Sequence, residues 1–469
     1  MFDFNIEIKQ IIILLIILIN CIISGCINSI IIIPLILLLF LYFILTNPQK
    51  YLYLLKLSYK YLTAFRGFIY FYCYLIFATI VLCILNKANI LRFFMSSTFG
   101  YVISIVMCYI LGIYVRFLFQ NNKKIIKLIL NIIYIIIAVG FIDLITYKFM
   151  IPGLKQIFPI IIGRELESIL LYKTYYSLPR IQSVFAEPSH YAWFLTCNIP
   201  IVMKIFESKY KIFKNNFVNI LYKKSLMPLL FLSILLTQSP INLVFSIIIV
   251  VVYKIITSKV SIKHLLLISL VVLFFTISIM FLFKNINISE TFMNRILLSV
   301  QVLMDLNKLI IVEPSLATRL ISYINMGIIG LKHSILGVGW GNLTVEFVHQ
   351  LKITNTPLTP ELRGTILAIK PVCNPSIFFK VFAETGFIGT MIFLNIFVNI
   401  FKTLQKLSKF LTGIEKDYVE GVKLTLIAYC VLIFYDSQLY CHYFWFLFGT
   451  ISGVYLKEYL WIKKIKQFG

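Results

Sequence analysis

Five arginines, Arg164, Arg180, Arg295, Arg319 and Arg363, fall in two long segments, 147–188 and 284–376, away from the chain's clustered lysines. Arginine grips phosphate or carboxylate through a planar, two-toothed fork, whereas lysine offers a point charge. As a set these side chains point to an anion site. Singly, each also suits snorkelling into anionic headgroups.

Arg180 opens the stretch Arg-Ile-Gln-Ser-Val-Phe-Ala-Glu187-Pro188-Ser189-His190-Tyr191-Ala192, which runs directly into an apolar segment. Pro188 suits the first turn of a helix, where its missing N–H is not needed, and Glu187 just before it favours the positive end of the helix dipole. Two readings fit. Glu187 is either a charged helix start or an ionisable carboxylate able to orient or deprotonate a hydroxyl; His190, one turn in, suits either job.

Arg319 lies in Leu316-Ala-Thr-Arg-Leu-Ile-Ser-Tyr-Ile-Asn-Met-Gly-Ile-Ile-Gly330. At about 100° per residue, Arg319, Tyr323, Met326 and Gly330 share one helix face, while Leu320, Ile324, Ile328 and Leu331 form an apolar stripe. This predicts an interfacial helix, with Arg319 facing a cavity and Gly330 allowing close approach of substrate or backbone. Next comes Leu336-Gly337-Val338-Gly339-Trp340-Gly341-Asn342. Without a preceding strand and a following helix, this glycine-spaced turn is not a dinucleotide site. Trp340 suits stacking on a sugar ring or a place at a membrane interface. Asn374-Pro375-Ser376 leads into Phe382-Ala383-Glu384-Thr385-Gly386-Phe387-Ile388-Gly389, which puts Glu384 inside an apolar run. An intramembrane carboxylate is a functional candidate by default. Arg116, Asp143, Lys254 and Asp436 fall nearer the ends of apolar runs and are expected to snorkel.

The elements that must position these residues follow from composition. Of 469 residues 60% are hydrophobic and only 13% charged, a balance suited to lipid as the main solvent and unlike disorder or a soluble enzyme with one anchor. Apolar runs fall at 11–45, broken by Gly25 and Asn28 into a tight hairpin, then at roughly 68–85, 98–118, 128–146, 189–206, 225–238, 241–257, 264–283, 377–401, 422–439 and 440–458. At about 17 to 25 residues per crossing these predict about twelve transmembrane helices. The net charge of +25 would suit nucleic acid, but its position argues otherwise. The clusters Lys50–Arg66, Lys123–Lys127, Lys209–Lys224, Lys259–Lys263, Lys402–Lys409 and Lys463–Lys466 all fall on one side of this arrangement, as cytoplasmic loops do.

The expected fold is therefore all-α: a single polytopic integral membrane domain over 1–469 with both termini cytoplasmic. Its outer loop 147–188 and large outer loop 284–376, the latter containing amphipathic helices, are long enough to build a site. The opening MFDFNIEIKQ is not positively charged, so a cleavable signal peptide is not expected. Nine cysteines show no CxxC pair or metal-ligand spacing, and neither a disulfide framework, a metal nor a cofactor is expected.

At these residues the chain resembles the bacterial O-antigen polymerase (Wzy) and O-antigen ligase superfamily. The matching pieces are Arg180 to Ala192, Leu235-Leu-Thr-Gln-Ser239 between two spans, the spacing of Arg319 and Gly330, Gly337 to Asn342, and Ala383 to Gly389. The resemblance covers about 180–390. It implies a membrane glycosyltransferase acting on undecaprenyl-diphosphate-linked oligosaccharides at the outer face of the bacterial cytoplasmic membrane. Membrane lipids, a flippase and chain-length regulators are the implied partners, with no nucleic acid. Ligases typically carry His before the last motif, and Asn374 stands there instead, which favours a polymerase. In that reading Arg319 and Arg180 bind the diphosphate, Glu187 and then Glu384 act on the acceptor, and His190, Tyr323, Gly330, Trp340, Arg363 and Asn374 contact substrate. The rivals are a ligase and a lipid-linked oligosaccharide flippase.

Overall fold

The computed structural model describes residues 48–85, 87–95, 97–118, 122–149, 151, 180–183, 185, 187–209, 211, 215–257, 306–312, 314–354, 357–368, 376–434 and 442–468. Every regular element among them is a helix: α1 Pro48–Tyr61, α2 Thr63–Ile84, α3 Ile90–Met95, α4 Ser97–Leu118, α5 Asn122–Lys148, α6 Pro188–Glu207, α7 Asn216–Leu236, α8 Pro240–Thr257, α9 Leu306–Val312, α10 Pro314–Lys332, α11 Leu343–Ile353, α12 Pro360–Ala368, α13 Ile377–Phe410, α14 Gly413–Ile433 and α15 His442–Phe468. Among the described residues four helices are long and apolar enough to cross a membrane, namely Thr63–Ile84, Lys123–Tyr147, Asn219–Leu236 and Ile377–Phe410. Ile103–Arg116 and Asn242–Thr257 are shorter apolar helices. The apolar runs at 11–45 and 264–283, most of the loop 147–188, and Arg164, Arg295, Asn374 and Asp436 lie outside the described residues.

Helix α6 sits at the centre. Every residue from Tyr191 to Met203 is buried, the pattern of a helix surrounded by protein on all sides. It runs parallel to α8: Asn242 touches Ser189 at one end, Ser246 meets Thr196 at 2.9 Å midway, and Tyr253 and Lys254 meet Glu207 at the other end. Against α14 it runs antiparallel, since Trp193 packs on Tyr429 and Gly421 lies beside Ile201. Helices α4 and α15 are parallel and close, because Gly112, Gly449 and Gly453 admit the facing backbone or Cβ where a side chain would collide. The aromatic rings of Phe68, Trp445, Phe397, Tyr429, Phe444 and Trp193 join these helices through tilted and edge-on contacts with centroids 5.3 to 6.1 Å apart. Outward, Ile76, Phe77, Ile80, Val244, Ile248, Phe387 and Met391 are exposed.

Helix α13 is broken. Gly386 has φ 65° and ψ −167°, a conformation open essentially only to glycine. The break frees backbone groups that must find partners elsewhere. They find them in the glycine turn after α10: Val338 N–H donates to Ala383 O at 2.9 Å, Gly339 N–H to Glu384 O at 3.0 Å, and Phe387 N–H to Ser334 O at 2.6 Å. Tyr74 of α2 adds its hydroxyl to Thr385 O at 2.7 Å. The turn reaches this close because Gly337 has φ +72° and a Cβ there would overlap the backbone of Glu384. Two motifs almost fifty residues apart thus form one clasp.

Two residues expected to snorkel are instead in the interior: Arg116 is 1% exposed and Asp143 0%. Lys254 is tied by a 2.5 Å ion pair to Glu207. Burial of Arg116 follows from the α4–α15 approach, since its Cβ abuts Gly453.

Candidate active site

Arg180 is half-buried, and its Nε donates to Thr237 O at 2.9 Å. The next residue, Ile181, donates its N–H to Leu236 O at 3.2 Å. The segment before α6 therefore pairs with the end of α7. Its path is set from below by Asp143 of α5, whose Oδ2 accepts the N–H groups of Gln182 at 2.9 Å and Ser183 at 3.3 Å. Ser183, at φ 55°, also donates its hydroxyl to Ile136 O at 2.8 Å. That anchor carries the chain to Glu187, which is extended, with Pro188 opening the helix behind it.

The Glu187 carboxylate accepts from Ser189 Oγ at 3.2 Å, and His190 Nε2 lies 3.8 Å from the same oxygen. Both side chains retain solvent access, 28% for Glu187 and 15% for His190. Beside them, the turn at Gln238, with φ 50°, delivers Ser239 and Asn242 at the start of α8. Asn242 Nδ2 donates to Ser239 Oγ at 2.9 Å and to Ser189 O at 3.3 Å, so two parallel helices present their N-termini together. Positive dipole ends and an arginine fork are what an anion needs. Asn242 Oδ1 and His190 Nδ1 are buried with no hydrogen-bond partner among the described residues, a state that in native proteins calls for a water or ligand.

The structure groups Arg180, Glu187 and His190, and sets Arg319, Tyr323 and Gly330 on a second element, α10. Their shared face packs on the first segment of α13: Tyr323 stacks on Phe379 with centroids 5.7 Å apart, and a Cβ on Gly330 would collide with the Phe382 ring. Gly330 thus serves close helix packing, and the face expected to line a cavity is largely filled by α13. Arg319 stays half-buried at its N-terminal end, while Ile324 and Leu331 of the apolar stripe are exposed. Arg363 is exposed on α12, joined to α10 by a 2.6 Å hydrogen bond between Thr318 and Thr359. Trp340 is not placed to stack on a sugar: it is 2% exposed, with its ring edge-on to Phe71 at 6.1 Å. Glu384 is equally enclosed, 2% exposed, its Oε1 accepting from Gly341 N–H at 3.1 Å and its Oε2 unpartnered among the described residues.

A separate apolar groove has a volume of about 630 Å³. It lies between α8, α13 and α14 and is lined by Phe245, Phe397, Val398, Phe401, Leu426 and Phe434, among others. Phe245 is one turn from Asn242. On the opposite side Phe434 packs on Phe378 at 4.4 Å, and the neighbouring Phe379 carries Tyr323, one turn from Arg319. None of the candidate polar residues lines the groove, which is related to them only through these neighbouring aromatic side chains. Asp143, expected from its place near the end of an apolar run to snorkel, is instead the buried anchor of this segment; the rule applied to Glu384, that an ionisable group inside an apolar run is functional by default, points to it. Sequence reasoning missed Asn242, for which the sequence offers no signal beyond a polar residue after Pro240.

All described elements are helical, and several are long and apolar enough for a membrane protein. Compared with known proteins, the chain matches no family model and no characterised sequence at a significant level.

Proposed function

We propose that the protein is a polytopic enzyme of the bacterial cytoplasmic membrane, with about twelve spans and cytoplasmic termini, that polymerises undecaprenyl-diphosphate-linked oligosaccharide repeat units at the outer face. The observation that carries this reading is the grouping of Arg180, Glu187 and His190 at the paired N-termini of α6 and α8, with an apolar groove between α8, α13 and α14 that begins one turn of α8 from Asn242. In this reading an isoprenoid tail occupies the groove, and the arginines and the paired helix N-termini take up its diphosphate. The helix directions support the topology: α6 with α8 and α4 with α15 are parallel, and α6 with α14 antiparallel, as alternation of the sequence-derived spans requires.

In the reaction, the terminal hydroxyl of an incoming unit gives its proton to Glu187 while its oxygen bonds to the anomeric carbon of the growing chain. The bond from that carbon to the diphosphate oxygen breaks, and the lipid diphosphate departs with the electron pair. Arg180 and Arg319 stabilise the charge gathering on it, an effect strengthened where water is scarce. No nucleotide is needed, because the donor already carries the diphosphate. Glu384, walled off behind the glycine turn, acts by positioning that turn.

A second reading, a flippase for the same lipid-linked unit, is favoured by the break in α13 beside a buried carboxylate, since transporters bind at discontinuous helices. Deleting the gene, then running the surface glycan on a gel and extracting the lipid-linked pool, separates the readings. A ladder that collapses to single repeat units supports the polymerase. Long chains retained on the lipid carrier identify a ligase, and units stranded on the inner face identify a flippase.

A further inference from the structure

A second polar cavity lies away from the groove, between the end of α2, the start of α3, the glycine turn and α11. Its volume is about 470 Å³, within the range of ligand sites. Lys87, Arg92, Asn89, His333, Asn342 and Glu346 supply its polar lining. The walls are built: Asn89 N–H donates to Asn342 Oδ1 at 3.1 Å, Lys87 N–H to Leu82 O at 2.8 Å, and His333 Nε2 stands 3.7 Å from Glu346 Oε1. Lys87 and Arg92 are exposed, and neither has an ion pair among the described residues. Around them Ile84, Leu85, Ile90, Leu91 and Ile335 are exposed too, giving an apolar rim around the two cations. Paired cations beside an apolar rim suit an anionic headgroup.

We infer that this cavity binds the diphosphate and first sugar of a prenyl-diphosphate-linked saccharide. Lys87 and Arg92 hold the diphosphate, Glu346, His333 and Asn89 face the sugar hydroxyls, and the hydrocarbon tail leaves over the apolar rim. The site is separate from that at Arg319: His333 directly follows α10 and Arg319 lies in its second turn, about 20 Å away at 1.5 Å per residue, beyond the span of one diphosphate. Two head sites suit a reaction joining two lipid-linked units, and to that extent the inference rests on the polymerase reading.

The test uses the full-length protein in phosphatidylcholine nanodiscs, with farnesyl diphosphate as probe and inorganic diphosphate and phosphatidylglycerol as competitors. The expected result is two bound equivalents for the native chain and one for Lys87→Gln/Arg92→Gln, with affinity at the altered site at least about tenfold weaker, roughly the worth of one charge-assisted hydrogen bond. Arg180→Gln/Arg319→Gln should lose the other equivalent, and Lys87→Arg should keep both. If Lys87→Gln/Arg92→Gln binds as the native chain does, the inference is overturned. It is also overturned if inorganic diphosphate competes as well as the prenyl compound, which makes this a free-phosphate site, or if phosphatidylglycerol displaces the probe completely, which makes it a general lipid site. One native equivalent, abolished by the Lys87/Arg92 change and retained by the Arg180/Arg319 change, leaves the cavity assignment standing and removes the groove site.

Discussion

Asp143, buried inside α5, accepts the backbone N–H of Gln182 at 2.9 Å, and through that bond a helix 39 positions earlier holds the segment delivering Arg180 and Glu187. Replacing Asp143 by Ala leaves the N–H groups of Gln182 and Ser183 buried without an acceptor. The expected cost is about 1–3 kcal/mol, read as a lower melting temperature in detergent together with shortened surface glycan. Asn, which keeps one acceptor oxygen, should retain more of both. Native stability in Asp143→Ala would remove the anchor from this account.

Arg319→Lys keeps the charge on α10 and loses the fork. A point charge cannot copy two parallel hydrogen bonds to a diphosphate, so glycan chain length should fall to a few repeat units at native protein level. Chains of native length in this variant would take Arg319 out of the site.

Glu187→Gln preserves the shape and the Ser189 contact while removing the proton acceptor. General-base catalysis contributes about 10²–10⁴-fold, so polymerisation from purified lipid-linked units should slow by about 10²-fold or more. Farnesyl diphosphate binding should stay near native. A variant that loses binding and turnover in step would mark Glu187 as a structural helix start.

Glu384→Gln divides the two functional readings. If Glu384 only seats the glycine turn, Gln still accepts the Gly341 N–H, and chain length should stay within about threefold of native, no more than the loss of one weak contact. Stranding of lipid-linked units on the inner face would instead mark the buried carboxylate as a carrier of charge in transport.

Gly386→Ala should be the most disruptive single change. A side chain is strained at φ 65°, and its Cβ would meet the Ile335 carbonyl and Gly337. Strain alone costs about 1–3 kcal/mol, and the clasp must open to relieve the overlap. Poor expression and a lowered melting temperature, not rescued by lipid, are expected; a native melt would mean that the break tolerates a Cβ.

Much of the local order was legible in the chain. The run from Glu187 through Pro188 into apolar residues marks a helix start because proline lacks the N–H that a first turn leaves unused, and α6 begins there. The face carrying Arg319, Tyr323 and Gly330 follows from helical period alone, and α10 has it. What those faces touch was not legible. In a chain this apolar, a residue suited to lipid is equally suited to a neighbouring helix, so hydropathy does not distinguish them. Tertiary packing therefore decided that Trp340 is enclosed against Phe71, that Gly330 receives Phe382, and that Arg116 and Asp143 lie inside. It also decided that the glycines at 337–341 close the break at Gly386. Each motif has backbone groups its own segment cannot satisfy, and only the three-dimensional approach of α2, α10 and α13 supplies their partners.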